Sequence, residues 1–286
     1  MTIRSSDFPM LRLRSAIIGI AALLAGPALA ETPLERGAYL VKTIGACGNC
    51  HTPKGAGGVP IADKEMAGGF KFDEKPFTAY APNITPDPET GIGKWTDQQI
   101  IDAIRVGKRP DGSTIGPPMP VALYRDITDD DVKAMVAYLR ALKPVVNKVP
   151  KSVYRIPLPP SYGPVTSAKT VSRTDKVAYG AYLAGPIGHC TECHSTPNAR
   201  GQADLHNMLG GGGRTFRGPW GEVAASNITP TNLKSWSDDA IKKAITTGVR
   251  PDGRRLKGPM AFGFYKDIAA PDLDAIVAYV RTLPPK

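Results

Sequence analysis

All four cysteines of this chain fall into two copies of one pentapeptide, Cys47-Gly48-Asn49-Cys50-His51 and Cys190-Thr191-Glu192-Cys193-His194. C-x-x-C-H is the attachment signature of haem c: two thiols at this spacing reach two vinyl groups on one porphyrin edge, and the next side chain offers its imidazole to the iron. A chain that must wrap two porphyrins is tightly constrained in what it can fold into. Competing uses of the residues fit less well. Two disulfides would suit four cysteines in an exported protein, but leave both histidines unexplained. Zinc needs two further ligands per site, and only His189 and His206 remain. A thioredoxin-like dithiol belongs beside a βαβ pattern, which is missing here.

The chain repeats itself. Arg36-Gly37-Ala38-Tyr39-Leu40 returns as Tyr179-Gly180-Ala181-Tyr182-Leu183, and Asn83-Ile84-Thr85-Pro86 as Asn227-Ile228-Thr229-Pro230. Arg109-Pro110-Asp111-Gly112 matches Arg250-Pro251-Asp252-Gly253, and Ala137-Tyr138-Leu139-Arg140 matches Ala278-Tyr279-Val280-Arg281. Between the halves, Pro150, Pro157, Pro159, Pro160 and Pro164 mark an extended, semi-rigid linker.

Regular structure reads as helix throughout. Thr32-Pro33-Leu34-Glu35 is a capping box leading into the first motif. Thr96 caps a helix over 97–106 that stops at Gly107, and Ser237 one over 238–247 that stops at Gly248. Apolar positions at helical spacing, Val132, Met135, Val136 and Leu139, then Leu273, Ile276, Val277 and Val280, place the last helix of each half at 129–142 and 271–283. No stretch alternates long enough for a sheet. The expected architecture is all-α, with one haem domain over 31–146, a Pro-rich linker over 147–172 and a second domain over 173–286.

Residues 1–30 carry Arg4, Arg12 and Arg14, then an uncharged stretch from Ser15 ending Ala28-Leu29-Ala30, the layout of a secretory signal cleaved after Ala30. An uncleaved anchor is the alternative; no other stretch could span a membrane. The whole chain carries a formal charge of +10, and losing three arginines with one aspartate still leaves the part from Glu31 onward basic. Nucleic acid is a poor partner for an exported protein with interspersed charges, whereas an acidic redox protein or a membrane surface fits.

Each iron needs a sixth ligand. Met119, in Gly116-Pro117-Pro118-Met119, and Met260, in Gly258-Pro259-Met260, follow their histidines at closely matching distances, in loops that proline stiffens. Met66 and Met208, much nearer the histidines in the chain, form a rival pair. Met135 reads as core, and His189 and His206 as loop histidines without counterparts in the first half. Trp95 and Trp236, at the same separation ahead of their methionines, could donate an indole N–H to a haem propionate or simply pack. Arg109 and Arg250 could balance propionate charge or be solvated turn residues. Asn83 and Asn227 are expected to tie a loop near the haem edge, and Tyr39 and Tyr182 to pack the first helix of each half on the last.

The order of C-x-x-C-H, the run Asn-Ile-Thr-Pro-Asp-Pro-Glu-Thr-Gly-Ile-Gly-Lys-Trp-Thr-Asp at 83–97, Asp111-Gly112 and Pro118-Met119-Pro120 resembles the cytochrome c subunits of periplasmic dehydrogenase complexes. Those are multihaem partners of alcohol, gluconate and aldehyde dehydrogenases and related molybdenum hydroxylases. The likeness covers 33–146 and, less faithfully, 174–284. It implies class I cytochrome c-like domains with covalent haem c, cofactor contacts at Cys47, Cys50, Cys190 and Cys193, and iron held by His51 with Met119 and by His194 with Met260. Two departures stand out: many members carry three haems, and the second half has Pro259-Met260-Ala261 in place of Pro-Met-Pro. The implied role is a periplasmic electron carrier, not an enzyme, passing single electrons from a dehydrogenase to an oxidase or small cytochrome. A dihaem peroxidase needs two haems that differ, which near-equal repeats argue against; an enzyme oxidising a small sulfur compound finds no spare cysteine.

Overall fold

The first helix follows directly from its cap. The Thr32 hydroxyl accepts from the Glu35 amide at 3.2 Å while the Glu35 carboxylate accepts from the Thr32 amide at 2.8 Å. Pro33 then opens helix α1, Pro33–Lys42, with its φ already set for the first turn. In the computed structural model, which describes residues 31–165, 170–218 and 220–286, α1 leads into the four-residue motif helix α2, Gly48–His51. The expected secretory signal lies outside the described residues.

Helix α3, Asp97–Arg105, begins on a second capping box, Thr96 with Gln99, and the short α4, Val121–Tyr124, follows the Met119 loop. Helix α5, Asp129–Ala141, is capped by Thr128 and carries three aspartates in its first turn, where the helix dipole favours negative charge. The second half repeats the order. It comprises α6, Lys176–Tyr182, continued by a π turn over Leu183–Ile187; the motif helix α7, Cys190–His194; α8, Pro230–Leu233; α9, Asp238–Thr247; α10, Phe262–Tyr265; and α11, Ala270–Thr282.

First and last helices of each half cross at near-contact. A Cβ on Gly37 would lie 1.8 Å from the Ala134 carbonyl oxygen, and one on Gly180 1.9 Å from that of Ala275. Only glycine, with no Cβ, permits either crossing. Leu40, Val41 and Ile44 then bury against the α5 stripe of Val132, Met135, Val136 and Leu139, while Tyr182, Leu183 and Ile187 join Leu273, Ile276, Val277 and Val280. These two sets belong to one continuous core.

The all-α expectation is corrected by two antiparallel sheets. Strands β1, Lys71–Glu74, and β2, Phe77–Tyr80, form a hairpin that β3, Val153–Tyr154, extends; β4, Thr215–Gly218, pairs with β5, Gly221–Ala224. Four-residue strands such as Lys-Phe-Asp-Glu are too short and too exposed to show alternation. A hairpin needs only the facing register, Glu74 opposite Phe77 and Gly218 opposite Gly221. The residues Thr32–Lys286 group as one compact unit. The proline-rich segment lies back on the first half. The Asn147 amide side chain donates to the Ala67 carbonyl at 2.8 Å, β3 joins the first sheet, and the Tyr162 hydroxyl donates to the Ile115 carbonyl at 2.8 Å.

What fuses the halves is a reciprocal exchange. The Tyr39 hydroxyl donates to Asp272 on α11 at 2.8 Å, and the Tyr182 hydroxyl donates to Asp131 on α5 at 2.7 Å. Each also accepts from the backbone amide at the mouth of the helix it meets, Ala269 at 3.1 Å and Thr128 at 3.3 Å. Both tyrosine hydroxyls therefore bond to the last helix of the opposite half, while each first helix packs on the last helix of its own. Asp131 holds the buried Arg36 guanidinium as well, through Nε at 2.8 Å and Nη2 at 2.9 Å. Arg36 also donates to the Tyr179 hydroxyl at 3.4 Å.

Candidate functional site

Each motif histidine has its ring set by a backbone carbonyl. His51 Nδ1 lies 2.9 Å from the Pro82 oxygen and His194 Nδ1 2.7 Å from the Ser226 oxygen. A carbonyl can only accept, so Nδ1 carries the proton and Nε2 is left with its lone pair, the form in which imidazole binds a metal. Burial lowers the pKa of both rings, which also favours the neutral form.

The carbonyls are themselves held. Asn83 Oδ1 accepts from the Thr85 amide at 2.9 Å and hydroxyl at 2.7 Å, and its Nδ2 donates to the Val145 carbonyl at 2.8 Å. Asn227 accepts from Thr229 in the same way at 2.8 and 2.7 Å, and donates to the Lys286 carbonyl at 2.9 Å. The asparagines thus tie the loop bearing each carbonyl to the chain beyond each half's last helix. Gly68 and Gly212 close the motif turn by donating to the His51 and His194 carbonyls at 2.7 Å. Both have positive φ, and a Cβ there would lie 2.4 Å from Pro82 C and 2.5 Å from Asn227 N.

The four thiols sit on the motif turns, unpaired with one another. Burial pushes Cys47 and Cys193 up to about 12 and Cys50 and Cys190 up to about 11. A redox dithiol needs a depressed pKa to supply thiolate, so these environments oppose that use. Thioether formation, which ends with neutral sulfur in an apolar wall, suits them. The donor set and its surroundings therefore fit covalently bound haem.

The two motifs share one junction. Burial, with Glu192 and then Cys190 and Cys50 adding to it against the opposing Arg214, raises the Cys193 thiol; burial followed by Cys190, Cys193 and Cys50 lifts Tyr265 well above the usual range. Tyr124 is lifted by burial and then by Cys47, Cys50 and Glu192. A Cβ on Gly48 would come within 3.0 Å of the Phe264 ring, and Tyr124 stands edge-on to His189 with centroids 6.0 Å apart. The short helix after each half's proline-methionine loop, α4 or α10, thus lies against the other half's motif.

The predicted sixth ligands occupy matching places. Met119 and Met260 are half-buried, each follows a cis X-Pro bond, and each carbonyl accepts from the amide two residues on, at 2.9 and 3.0 Å, to start α4 and α10. Met119 packs against the core. The rival methionines are separated: Met66 is buried at positive φ and its structural counterpart is Gly210, since Ile84 donates to the Met66 carbonyl and Ile228 to that of Gly210. Met208 has no equivalent role.

Trp95 and Trp236 pack against the core, and their carbonyls accept from Arg140 and Arg281, which also pair with Asp97 at 2.9 Å and Asp238 at 2.9 Å. Arg250 stacks over Trp236 at 5.3 Å, and its Nε, without a hydrogen bond, is ion-paired with Asp252 at 3.5 Å. Arg109 instead turns to the Ser113 hydroxyl at 3.3 Å and the Thr114 carbonyl at 3.2 Å. Sequence reasoning missed Arg140, Arg281, Asp131 and Asp272, although the repeated Ala-Tyr-x-Arg pointed to the arginines. It also missed Trp220, whose buried Nε1 has no partner and whose ring would meet a Cβ on Gly258 at 2.8 Å.

Residues 34–143 match the cytochrome c family model. The chain is 32% identical to the cytochrome c subunit of a quinone alcohol dehydrogenase from Gluconobacter oxydans, over 94% of this chain and 59% of the relative. It is 32% identical to the fructose dehydrogenase cytochrome subunit of Gluconobacter japonicus, over 91% of this chain and 54% of that one. A dihaem c-type cytochrome of Cereibacter sphaeroides is 30% identical over 84% of this chain and 82% of its own length. The chain spans about three fifths of the alcohol dehydrogenase subunits it matches. With both histidine sites built alike and similarity along most of its length, the chain belongs to the cytochrome c family.

Proposed function

We propose that the protein is a periplasmic dihaem electron carrier that takes single electrons from a dehydrogenase and passes them towards an oxidase or small cytochrome. The observation that carries this reading is the junction at which Phe264 of α10 comes against Gly48 of the first motif and Tyr124 of α4 against His189 beside the second, because it brings both haem-attachment turns to one interface. Haem c, bound through Cys47 and Cys50 and through Cys190 and Cys193, would supply a one-electron couple at each site. His51 and His194 would present Nε2 on one side and Met119 and Met260 a thioether on the other; methionine sulfur favours ferrous iron and so a high potential. Pro82 and Ser226 keep the imidazoles from rotating, which limits rearrangement during transfer. Trp95, Trp236, Arg109 and Arg250 would line the cofactor edges, Arg250 stacked over Trp236 and facing Asp252. Cleavage after Ala30 and export are part of this proposal, because cytochrome c relatives named as dehydrogenase subunits need a shared compartment with their partners.

Mass spectrometry of exported protein should give the mature chain plus two haems that survive acid-acetone extraction. The ferric protein should show the weak far-red band of methionine-ligated haem, reduced in part by Met119→Ala and in part by Met260→Ala, and kept by Met66→Leu. One haem, or loss of the band on changing Met66 alone, overturns the ligand assignment.

A further inference from the structure

The two proline-methionine loops have the same backbone and different rims. In the first half a bridge pairs Lys108 with Thr114, and the Ile115 amide donates to the Gly107 carbonyl at 2.8 Å; in the second, Val249 pairs with Arg255 and Leu256 donates to Gly248 at 2.7 Å. The side chains diverge at the corresponding places, where Ser113, Thr114 and Gly116 face Arg254, Arg255 and Lys257. All three second-half cations are exposed. Arg254 is paired with Asp252 at 2.7 Å, while Arg255 and Lys257 show no ion pair among the described residues.

Cover differs too. Over the first loop lies the chain's own segment: a Cβ on Gly116 would meet Leu158 and Tyr154 at 2.6 Å, and Tyr162 closes on Gly107 and holds the Ile115 carbonyl. The Arg125 guanidinium ties that segment down through the Tyr162 and Pro164 carbonyls, both at 2.5 Å. Over the second loop, among the described residues, Trp220 lies against Gly258, and the basic rim remains at the surface.

We propose that the second half is the docking face for an acidic redox protein, which binds Arg254, Arg255 and Lys257 beside the Met260 loop, while the first loop is closed to such a partner by residues 153–164. This rests on the electron-carrier reading. A cluster of one sign beside a redox centre steers an oppositely charged partner into a productive encounter and raises the association rate by about 10- to 1,000-fold at low salt. The overall positive charge would attract an acidic protein anywhere on the surface; the rim decides where electrons cross.

The test uses the full two-haem protein and reduced flavodoxin, an acidic donor that gives up one electron in passing from hydroquinone to semiquinone as ferric haem becomes ferrous. Stopped-flow rates are measured across a salt series for the wild type, for Arg255→Glu with Lys257→Glu, and for Lys148→Glu with Lys151→Glu. The last pair reverses two exposed lysines just ahead of the segment covering the first loop and makes the same change in net charge. The rim variant should be slower by about 10-fold or more at low salt, with a flattened salt dependence, and the control by less than about 2-fold. Equal slowing of both variants, or no slowing of the rim variant, overturns the proposal while leaving the carrier reading intact. Haems that dithionite cannot reversibly reduce refute the carrier reading, and this surface with it.

Discussion

Replacing Gly37 by alanine tests the packing on which both sites depend. Alanine is the better helix former by about 1 kcal/mol, so propensity alone predicts a gain. The crossing predicts the reverse. The new Cβ would stand 1.8 Å from the Ala134 carbonyl oxygen. Carbon and carbonyl oxygen settle at roughly 3.3 to 3.6 Å, so α1 and α5 must part by about 1.5 Å. A gap of even about 0.5–1 Å forfeits about a quarter to a half of the dispersion energy of the contacts it opens. Here those are the contacts of Leu40, Val41 and Ile44 with Val132, Met135 and Val136. Overpacking a core costs typically about 1–3 kcal/mol, and this clash with rigid backbone belongs at the upper end. After the propensity gain, a net loss of about 2 kcal/mol remains, or roughly 4–8 °C in Tm for a unit of this size. Gly180→Ala should behave alike, since its Cβ meets the Ala275 oxygen at 1.9 Å, whereas Gly263→Ala on α10, with nothing within 4 Å, should be neutral or stabilising. Thermal unfolding of the ferric proteins by circular dichroism compares the three. If Gly37→Ala proves as stable as Gly263→Ala, the helices do not cross as described.

The exchange between halves predicts an order of costs: Asp131→Ala strands a buried guanidinium and should cost about 3–5 kcal/mol, while Asp272→Ala frees the Tyr39 hydroxyl and should cost about 1–3 kcal/mol. Urea unfolding measures both, and the opposite order would refute the assignment of Arg36 to Asp131. Burial lowers His189 to about 4 from the ordinary 6.5. The unfolded state therefore binds more protons between these values, and stability falls as pH drops through that window. The slope should approach about 1.4 kcal/mol per pH unit and vanish in His189→Gln; an unchanged slope in that variant would assign the proton uptake to other groups.

What sequence made legible was local. Capping boxes at Thr32 and Thr96, the αL glycine after Thr247 and the helical stripes of α5 and α11 are written within a few residues each, and the structure places those helices within a residue or two of the expected ends. The motif histidines were legible for the same reason. Their partners were not, because Pro82 and Ser226 act through backbone oxygens that any residue provides; the only clue was their place just before each Asn-Ile-Thr-Pro. Four-residue hairpins escaped because pairing across a tight turn needs no periodic pattern. Chain spacing alone misled at Met66 and Met208, where the true counterpart of Met66 is a glycine. Tyr39 and Asp272 are 233 residues apart, and nothing in either half alone shows that they meet. The repeated Gly-Ala-Tyr-Leu did hold the information, since glycine one turn before a buried leucine marks a close helix crossing.

Duplication explains why the halves join as they do, and covalent linkage explains where they differ. In an interface between identical surfaces each contact occurs twice, as Tyr39 with Asp272 and Tyr182 with Asp131 do here. Arg36 and Tyr179 occupy corresponding positions, and Arg36 Nη2 donates to the Tyr179 hydroxyl at 3.4 Å. Two identical chains would bring two buried guanidinium groups together at that point, each desolvated and repelled by the other. A single chain can place arginine in one half and tyrosine in the other, turning a repulsion into a hydrogen bond. The same freedom allows Gly116 to sit under a covering segment while Lys257, at the corresponding place, remains at the surface. Two equal sites would give electrons no preferred door; unequal rims on a shared junction give them one.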